Sequence, residues 1–119
     1  MKKTGPAIYL LKDMITIDDT VTIKIGETAN LSSRLSSLTG LTRWYMFLEA
    51  YEAPHSKEQR FFLESYVRLK ISTKYKGMVS LEGNDHFRCK DKEVYCAIKN
   101  DFENIFNEAQ KALDILLTV

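Results

Sequence analysis

The chain is poor in the residues that cross-link or interrupt a structure. Its 119 residues include two cysteines, two prolines and five glycines, which excludes a disulfide scaffold, a collagen-like repeat and a low-complexity linker. No apolar run approaches the roughly 18 residues of a membrane span, and residues 1–6 lack the apolar stretch of a signal peptide. We therefore expect one soluble, intracellular domain with no membrane association.

The two cysteines do not predict a zinc site. Cys89 and Cys96 form no CxxC pair, and the chain has no histidines at zinc spacing. We interpret both as reduced structural thiols. With 45% hydrophobic and 28% charged residues, the chain can bury enough apolar surface to offset the entropy cost of folding.

Charge of one sign is not in excess, but it is unevenly distributed. The net charge is +1; four acids and one lysine follow position 100, a net charge of −3 that leaves +4 for the first hundred residues. A group of cations lies close together in that part: Lys57, Arg60, Arg68, Lys70, Lys74 and Lys76. Such a group suits a phosphate backbone, and it equally suits a solvated helix face.

Three segments have the patterns of β-strands. Ala7–Leu11 is apolar and bounded by turn residues, Val21–Gly26 alternates, and Arg43–Tyr51 is rich in aromatic and apolar residues. The polar residues at 18–20 indicate an antiparallel hairpin between the first two. Gly26 is expected to end the second strand. Residues 79–81 and 86–89 are further candidates for short extended structure.

Three segments have helical signals. Thr28 or Asn30 can cap a short helix to about residue 38, and Ser56 with Gln59 is a capping-box pattern for a helix to about residue 71. From about 91 to 117, apolar residues keep helical spacing. The sum is an α/β (α+β) single domain: a small three-stranded antiparallel sheet flanked by helices, with a core at about 7–90 and a long C-terminal helix. We expect that helix to pack on its own domain.

Arg34 does not fit a purely structural interpretation. On the first helix it shares a stripe with Leu31 and Leu35, so its guanidinium points toward the sheet. A buried arginine needs an internal carboxylate, exposure at the helix edge or an anionic ligand. A structural salt bridge and a phosphate site both remain open, and the planar guanidinium matches two phosphate oxygens.

Tyr9 and Lys24 lie on neighbouring strands. Tyr9 and Leu11 take one face of the first strand, and Lys24 takes the polar face of the second. A strand tyrosine is usually a packing residue. If the register brings Lys24 close, its ammonium favours the phenolate, which is the form that accepts a proton.

Glu64 lies on the second helix at the border between an apolar arc and a polar strip. Arg60 and Arg68 are each four residues away, so Glu64 can form ordinary helix ion pairs. It can also be a metal ligand, because Mg²⁺ is commonly held by one or two carboxylates together with water and phosphate oxygens.

The order of these residues resembles the GIY-YIG nuclease superfamily. The motifs are Ala7-Ile8-Tyr9, Lys24-Ile25-Gly26 followed by Thr28-Ala29-Asn30-Leu31, then Arg34-Leu35, and Leu63-Glu64 on a later helix. The KIG form of the second motif is similar to the branch found in phages, large DNA viruses and bacteria. Asp85-His86-Phe87 is similar to that branch's motif before its last helix. The resemblance covers roughly residues 7–100.

The resemblance implies a metal-dependent DNA endonuclease in which water is the nucleophile. Glu64 would bind one Mg²⁺ or Mn²⁺ ion, Arg34 would neutralise charge on the phosphate, and Tyr9 would be the general base. Lys24 would assist Tyr9, since it stands where many relatives have a second tyrosine. The partner would be DNA, contacted by Arg43, Lys57, Arg60 and Arg68.

Two other functions are consistent with the same residues. One is a nucleic-acid-binding module that has the fold without the chemistry, because phosphate contacts alone give non-specific affinity. The other is an interaction protein that docks through its C-terminal helix. Many relatives carry a separate targeting domain, so we expect this chain to act non-specifically, to form a homodimer or to use a separate targeting partner.

Overall fold

The computed structural model describes residues 5–13, 20–37, 45–53, 56–75, 78–80 and 86–118. The order of the elements is β1 (Ala7–Asp13), β2 (Val21–Thr28), α1 (Leu31–Leu35), β3 (Tyr45–Glu52), α2 (Lys57–Lys74), β4 (Met78–Ser80), β5 (His86–Cys89) and α3 (Lys92–Thr118). The predicted mixed α+β class and the long C-terminal helix are confirmed. Arg43 and Leu38, at the predicted ends of the third strand and the first helix, lie outside the described residues.

The first two strands form the predicted antiparallel hairpin. Tyr9 pairs with Gly26 and Leu11 pairs with Lys24, so these four residues share one face of the sheet. The prediction that Gly26 ends β2 is wrong, because β2 continues to Thr28. On its other side β1 pairs with β3, with a register shift between Leu10 and Leu11.

The predicted three-stranded sheet is also wrong in its strand count. The described residues form a five-stranded antiparallel sheet in the order β3-β1-β2-β5-β4. The two additional strands contain three and four residues, which is too short for a periodic pattern to be distinctive in the sequence. Pairing with β2 stabilises β5, since each short strand gains its hydrogen bonds from its neighbour.

One face of the sheet carries the main core. Ile8 and Leu10 of β1 pack there with apolar residues of β2 and of both long helices, including Leu63, Val67 and Phe102. The capping box predicted for α2 is confirmed: Ser56 Oγ accepts from Gln59 N–H at 3.2 Å, and Gln59 Oε1 accepts from Ser56 N–H at 3.2 Å.

The C-terminal helix packs on its own domain, as predicted. α3 contributes six buried residues to the main core: Ile98, Phe102, Ile105, Phe106, Ala109 and Leu113. Apart from the adjacent pair Ile105 and Phe106, successive members are three or four residues apart, which places them along one face of the helix. No helix in the described part of the chain combines the length and apolar composition that crossing a membrane requires.

The opposite face of the sheet carries a smaller core of Ala7, Tyr9, Leu11, Leu31 and Ala50. Leu31 is the buried residue of α1, and its N–H donates to the carbonyl of Gly5 at 3.0 Å. Asn30 caps this helix, since its side chain accepts from Ser33 N–H at 3.0 Å. We call this side of the sheet the Tyr9 face.

Candidate active site

Tyr9 lies flat over Gly26 on the neighbouring strand. It is 1% exposed, and a Cβ atom added at Gly26 would overlap its phenol oxygen and ring carbons. The backbone of Gly26 is not in the left-handed region, so this position requires a glycine for space rather than for conformation. The glycine of the KIG motif thus fixes the position of the phenol.

Arg34 contacts the phenol from α1. Its Nε donates to the phenol oxygen of Tyr9 at 3.3 Å, across 25 positions of sequence. Tyr9 is buried while Arg34 is exposed, so the guanidinium spans the distance between the phenol and solvent. Exposure, one of the environments open to Arg34, is observed.

Lys24 lies on the same face, two strand positions from Gly26. Its strand partners are Leu11 on β1 and His86 on β5, so it is a diagonal rather than a direct neighbour of Tyr9. Residues two positions apart on a strand are about 7 Å apart. Lys24 is 6% exposed, which the polar alternation of β2 does not indicate.

Tyr45 and His86 form a bridge across this face that sequence reasoning missed. The Tyr45 hydroxyl and the His86 Nε2 are hydrogen-bonded at 2.7 Å, and their ring centroids are 5.9 Å apart. β3 and β5 are separated by two strands, so their backbones are roughly 14 Å apart. The two side chains therefore lean toward each other above β1 and β2, beside Lys24.

Glu64 lies on α2, whose core residues Leu63 and Val67 pack against the other face of the sheet. It is 8% exposed, and its Oε1 is 3.9 Å from Nε of Arg68. The helix ion pair that the sequence allowed is thus present. The structure brings Tyr9 and Arg34 together directly, and it does so without Glu64.

α2 runs antiparallel to β2. The first turn of α2 contacts the end of β2, because Arg60 Nε is 3.0 Å from Glu27 Oε2. The strand that follows α2 is β4, which pairs with β5, and β5 pairs with the start of β2. One helical turn carries Glu64 about 6 Å from Arg60, the length of roughly two strand residues. Glu64 therefore lies one helical turn along α2 from the Arg60–Glu27 ion pair.

The end of β2 extends beyond its pairing with β5. In the segments that the structure describes, β5 pairs with β2 from Val21 to Lys24. The stretch from Ile25 to Thr28 lies beyond that pairing, and Glu27 within it pairs with Arg60, one helical turn before Glu64 on α2.

The donor set fits a metal only with help from a substrate. No group of three or more His, Cys, Asp or Glu residues that could hold an ion occurs within the described ranges. Glu64 supplies one carboxylate, the hard oxygen ligand that Mg²⁺ prefers, and phosphate oxygens and water commonly complete such a site. The described residues thus supply one carboxylate, and any cation there would need water or substrate oxygens as its other ligands.

The residues predicted to contact DNA have different environments. Lys57 is exposed at the start of α2. Arg60 is 8% exposed and paired with Glu27, and Arg68 is half-buried beside Glu64. Arg43 lies outside the described residues. Arg60 and Arg68 hold acids of their own fold, so Lys57 is the residue of this set whose observed position best suits phosphate contact.

Basic residues of α2 form ion pairs with acidic residues of α3. Lys70 Nζ on α2 lies 3.5 Å from Glu108 Oε2 on α3, and Lys74 Nζ lies 2.5 Å from Asp101 Oδ2. Burial raises the pKa of the Asp101 carboxyl, but hydrogen bonds from Lys74 and Tyr75 outweigh this and the pKa lies below its ordinary value. The basic helix and the acidic helix therefore stabilise each other's packing.

Comparison with known protein families, with curated proteins and with solved structures gives no match.

Proposed function

We propose that the chain is a metal-dependent DNA endonuclease of the GIY-YIG type. The observation that carries the proposal is the contact between Tyr9 and Arg34, which joins a buried phenol to an exposed guanidinium. An anion that binds Arg34 comes within reach of the phenol oxygen. Lys24 adds a second cation to the same face.

Each residue has a defined role in phosphodiester hydrolysis. Arg34 would bind the non-bridging phosphate oxygens and offset the charge that develops on them. Tyr9, as the phenolate, would accept a proton from the attacking water and become a neutral phenol, and the Lys24 ammonium would be the nearby cation that balances the phenolate charge before the transfer. Glu64 would hold one Mg²⁺ or Mn²⁺ ion, which supplies Lewis-acid stabilisation of the leaving oxygen.

A plasmid-nicking assay with Mg²⁺ or Mn²⁺ tests the proposal. We expect Arg34→Ala and Glu64→Gln to lower the rate by about 100-fold or more, the usual effect of removing a transition-state charge partner. The exposed α3 residues Lys99 and Glu103 give matched controls, Lys99→Ala and Glu103→Gln, which should nick at the wild-type rate. Equal activity of all four variants would refute the assignment.

The second candidate is a DNA-binding module without catalysis. Two observations favour it: Tyr9 is 1% exposed, and Glu64 has Arg68 beside it. Under this alternative the chain binds DNA with a marked salt dependence, and no divalent metal produces nicks. Metal-dependent nicking that is lost in Glu64→Gln would reject the module.

A further inference from the structure

We propose that the Tyr9 face binds an unpaired DNA strand, with bases stacked on Phe47, Tyr45 and His86. This inference adds a substrate class to the proposed endonuclease and rests on it only for the position of the scissile phosphate. Binding by the face itself depends on the rings and cations described next.

The strand register arranges these residues in rows across the face. One row is Ala50, Tyr9 and Gly26, and the next is Phe47, Leu11, Lys24 and His86. The rows are about 7 Å apart. The proposed phosphate site at the Tyr9 row and the nearest rings are thus about one row apart.

The rings of this face are partly open to solvent. Phe47 is 44% exposed, and Tyr45 and His86 are half-buried. A single exposed phenylalanine is ordinary on a protein surface. Three rings on one face of a sheet are a different feature, because every base has a flat surface that can stack on them.

The charges of the face complement a phosphate chain. Arg34 is exposed and contacts Tyr9. Arg88 is also exposed and lies two positions from His86 on β5. Among the described residues, the acids that share this face are Asp13 and Glu52, and each is at the end of its strand. The cations therefore lie to either side of the rings.

Stacking selects unpaired nucleotides. A duplex keeps the flat surfaces of its bases inside its own stack, so the rings of a sheet reach only bases that have left it.

Fluorescence anisotropy in EDTA tests the proposal without cleavage. The probes are a labelled twelve-nucleotide oligothymidine and a blunt duplex of the same length. We expect tighter binding of the single strand, and Phe47→Leu should weaken it by about fivefold or more, the usual effect of losing one stacking ring. Phe61, which is 57% exposed on α2, supplies the matched control: Phe61→Leu should bind like the wild type.

The salt dependence tests the phosphate contact separately. Arg88→Gln should lower the slope of log Kobs against log salt by about 0.7, the value for one phosphate contact on a single strand, while Lys99→Gln should not change it. Equal affinity for strand and duplex, or equal effects of Phe47→Leu and Phe61→Leu, would overturn the proposal.

The two proposals can fail independently. If the protein nicks plasmid but binds both DNA forms equally well, the stacking proposal is rejected and the endonuclease proposal is retained. If the protein binds the single strand more tightly in a way that depends on Phe47, but cleaves neither DNA form with any metal, the stacking proposal is retained and the endonuclease proposal is rejected.

Discussion

Replacing Gly26 by alanine should force Tyr9 out of its position. The new Cβ would overlap the phenol oxygen and ring of Tyr9, and Tyr9 is enclosed by Leu11, Leu31 and Ala50. Overpacking of this kind costs about 1–3 kcal/mol. A strand alanine recovers about 0.5–1 kcal/mol relative to glycine, so the net loss in unfolding free energy should be roughly 0–2.5 kcal/mol.

A double-mutant cycle separates the overlap from the backbone effect. In a Tyr9→Leu background the shorter side chain leaves room for the new methyl group, so Gly26→Ala should become neutral or stabilising by up to about 1 kcal/mol. Urea unfolding followed by circular dichroism measures all four proteins. Gly5 is the matched control, since nothing lies within 4 Å of its added Cβ, and Gly5→Ala should be neutral or slightly stabilising. The same effect of Gly26→Ala in both backgrounds would refute the packing of Tyr9 on Gly26.

Two further predictions concern titratable groups. The lowered pKa of Asp101 means that its ion pair with Lys74 stabilises the fold above the ordinary pKa of 3.8 and that this contribution is lost as the pH falls through the lower folded value. Asp101→Asn should therefore cost about 0.2–1 kcal/mol at pH 7, with the difference from wild type shrinking below pH 3.8 in acid-unfolding curves; a constant difference would contradict the pairing. Burial, with a smaller contribution from Asp91, raises the pKa of Cys89 to about 12. Iodoacetamide at pH 8 should therefore label the exposed Cys96 in the native protein and both thiols only after unfolding. Rapid labelling of Cys89 in the native protein would disprove its burial.

Local patterns in the sequence predicted most of the fold. Alternation of apolar residues predicted the β1–β2 hairpin, and the Ser56–Gln59 pattern predicted the start of α2. These features are local, because their hydrogen bonds or buried faces involve residues close in the sequence. β4 and β5 were not predicted as sheet strands, since they acquire their structure by pairing with distant segments.

The candidate site was predictable only in part. The stripe position of Arg34 correctly indicated a side chain directed at the sheet. The burial of Lys24 and the bridge between Tyr45 and His86 were missed, because each depends on strand order and register. Gly26 was interpreted as a strand end, whereas the structure uses its missing side chain to accommodate Tyr9.

The basic cluster makes ion pairs within the fold. Its residues suited a phosphate backbone and equally a solvated helix face, and in the structure Arg60, Lys70 and Lys74 have acidic partners. Two of those partners lie on α3, in the acidic part of the chain. The basic segment and the acidic segment of the sequence thus correspond to two helices, α2 and α3, that pack together through ion pairs.

The most direct test of the account is the position of a divalent ion on a DNA complex. A crystal structure with Mn²⁺ and a phosphorothioate dinucleotide, with the ion located by its anomalous scattering, would show whether Glu64 reaches the Tyr9 face. The account predicts Mn²⁺ coordinated by Glu64 at the edge of β2, with the phosphorothioate between it and Arg34 and within reach of the Tyr9 phenol. A Glu64 carboxylate that stays beside Arg68 while the dinucleotide binds elsewhere would contradict the common site.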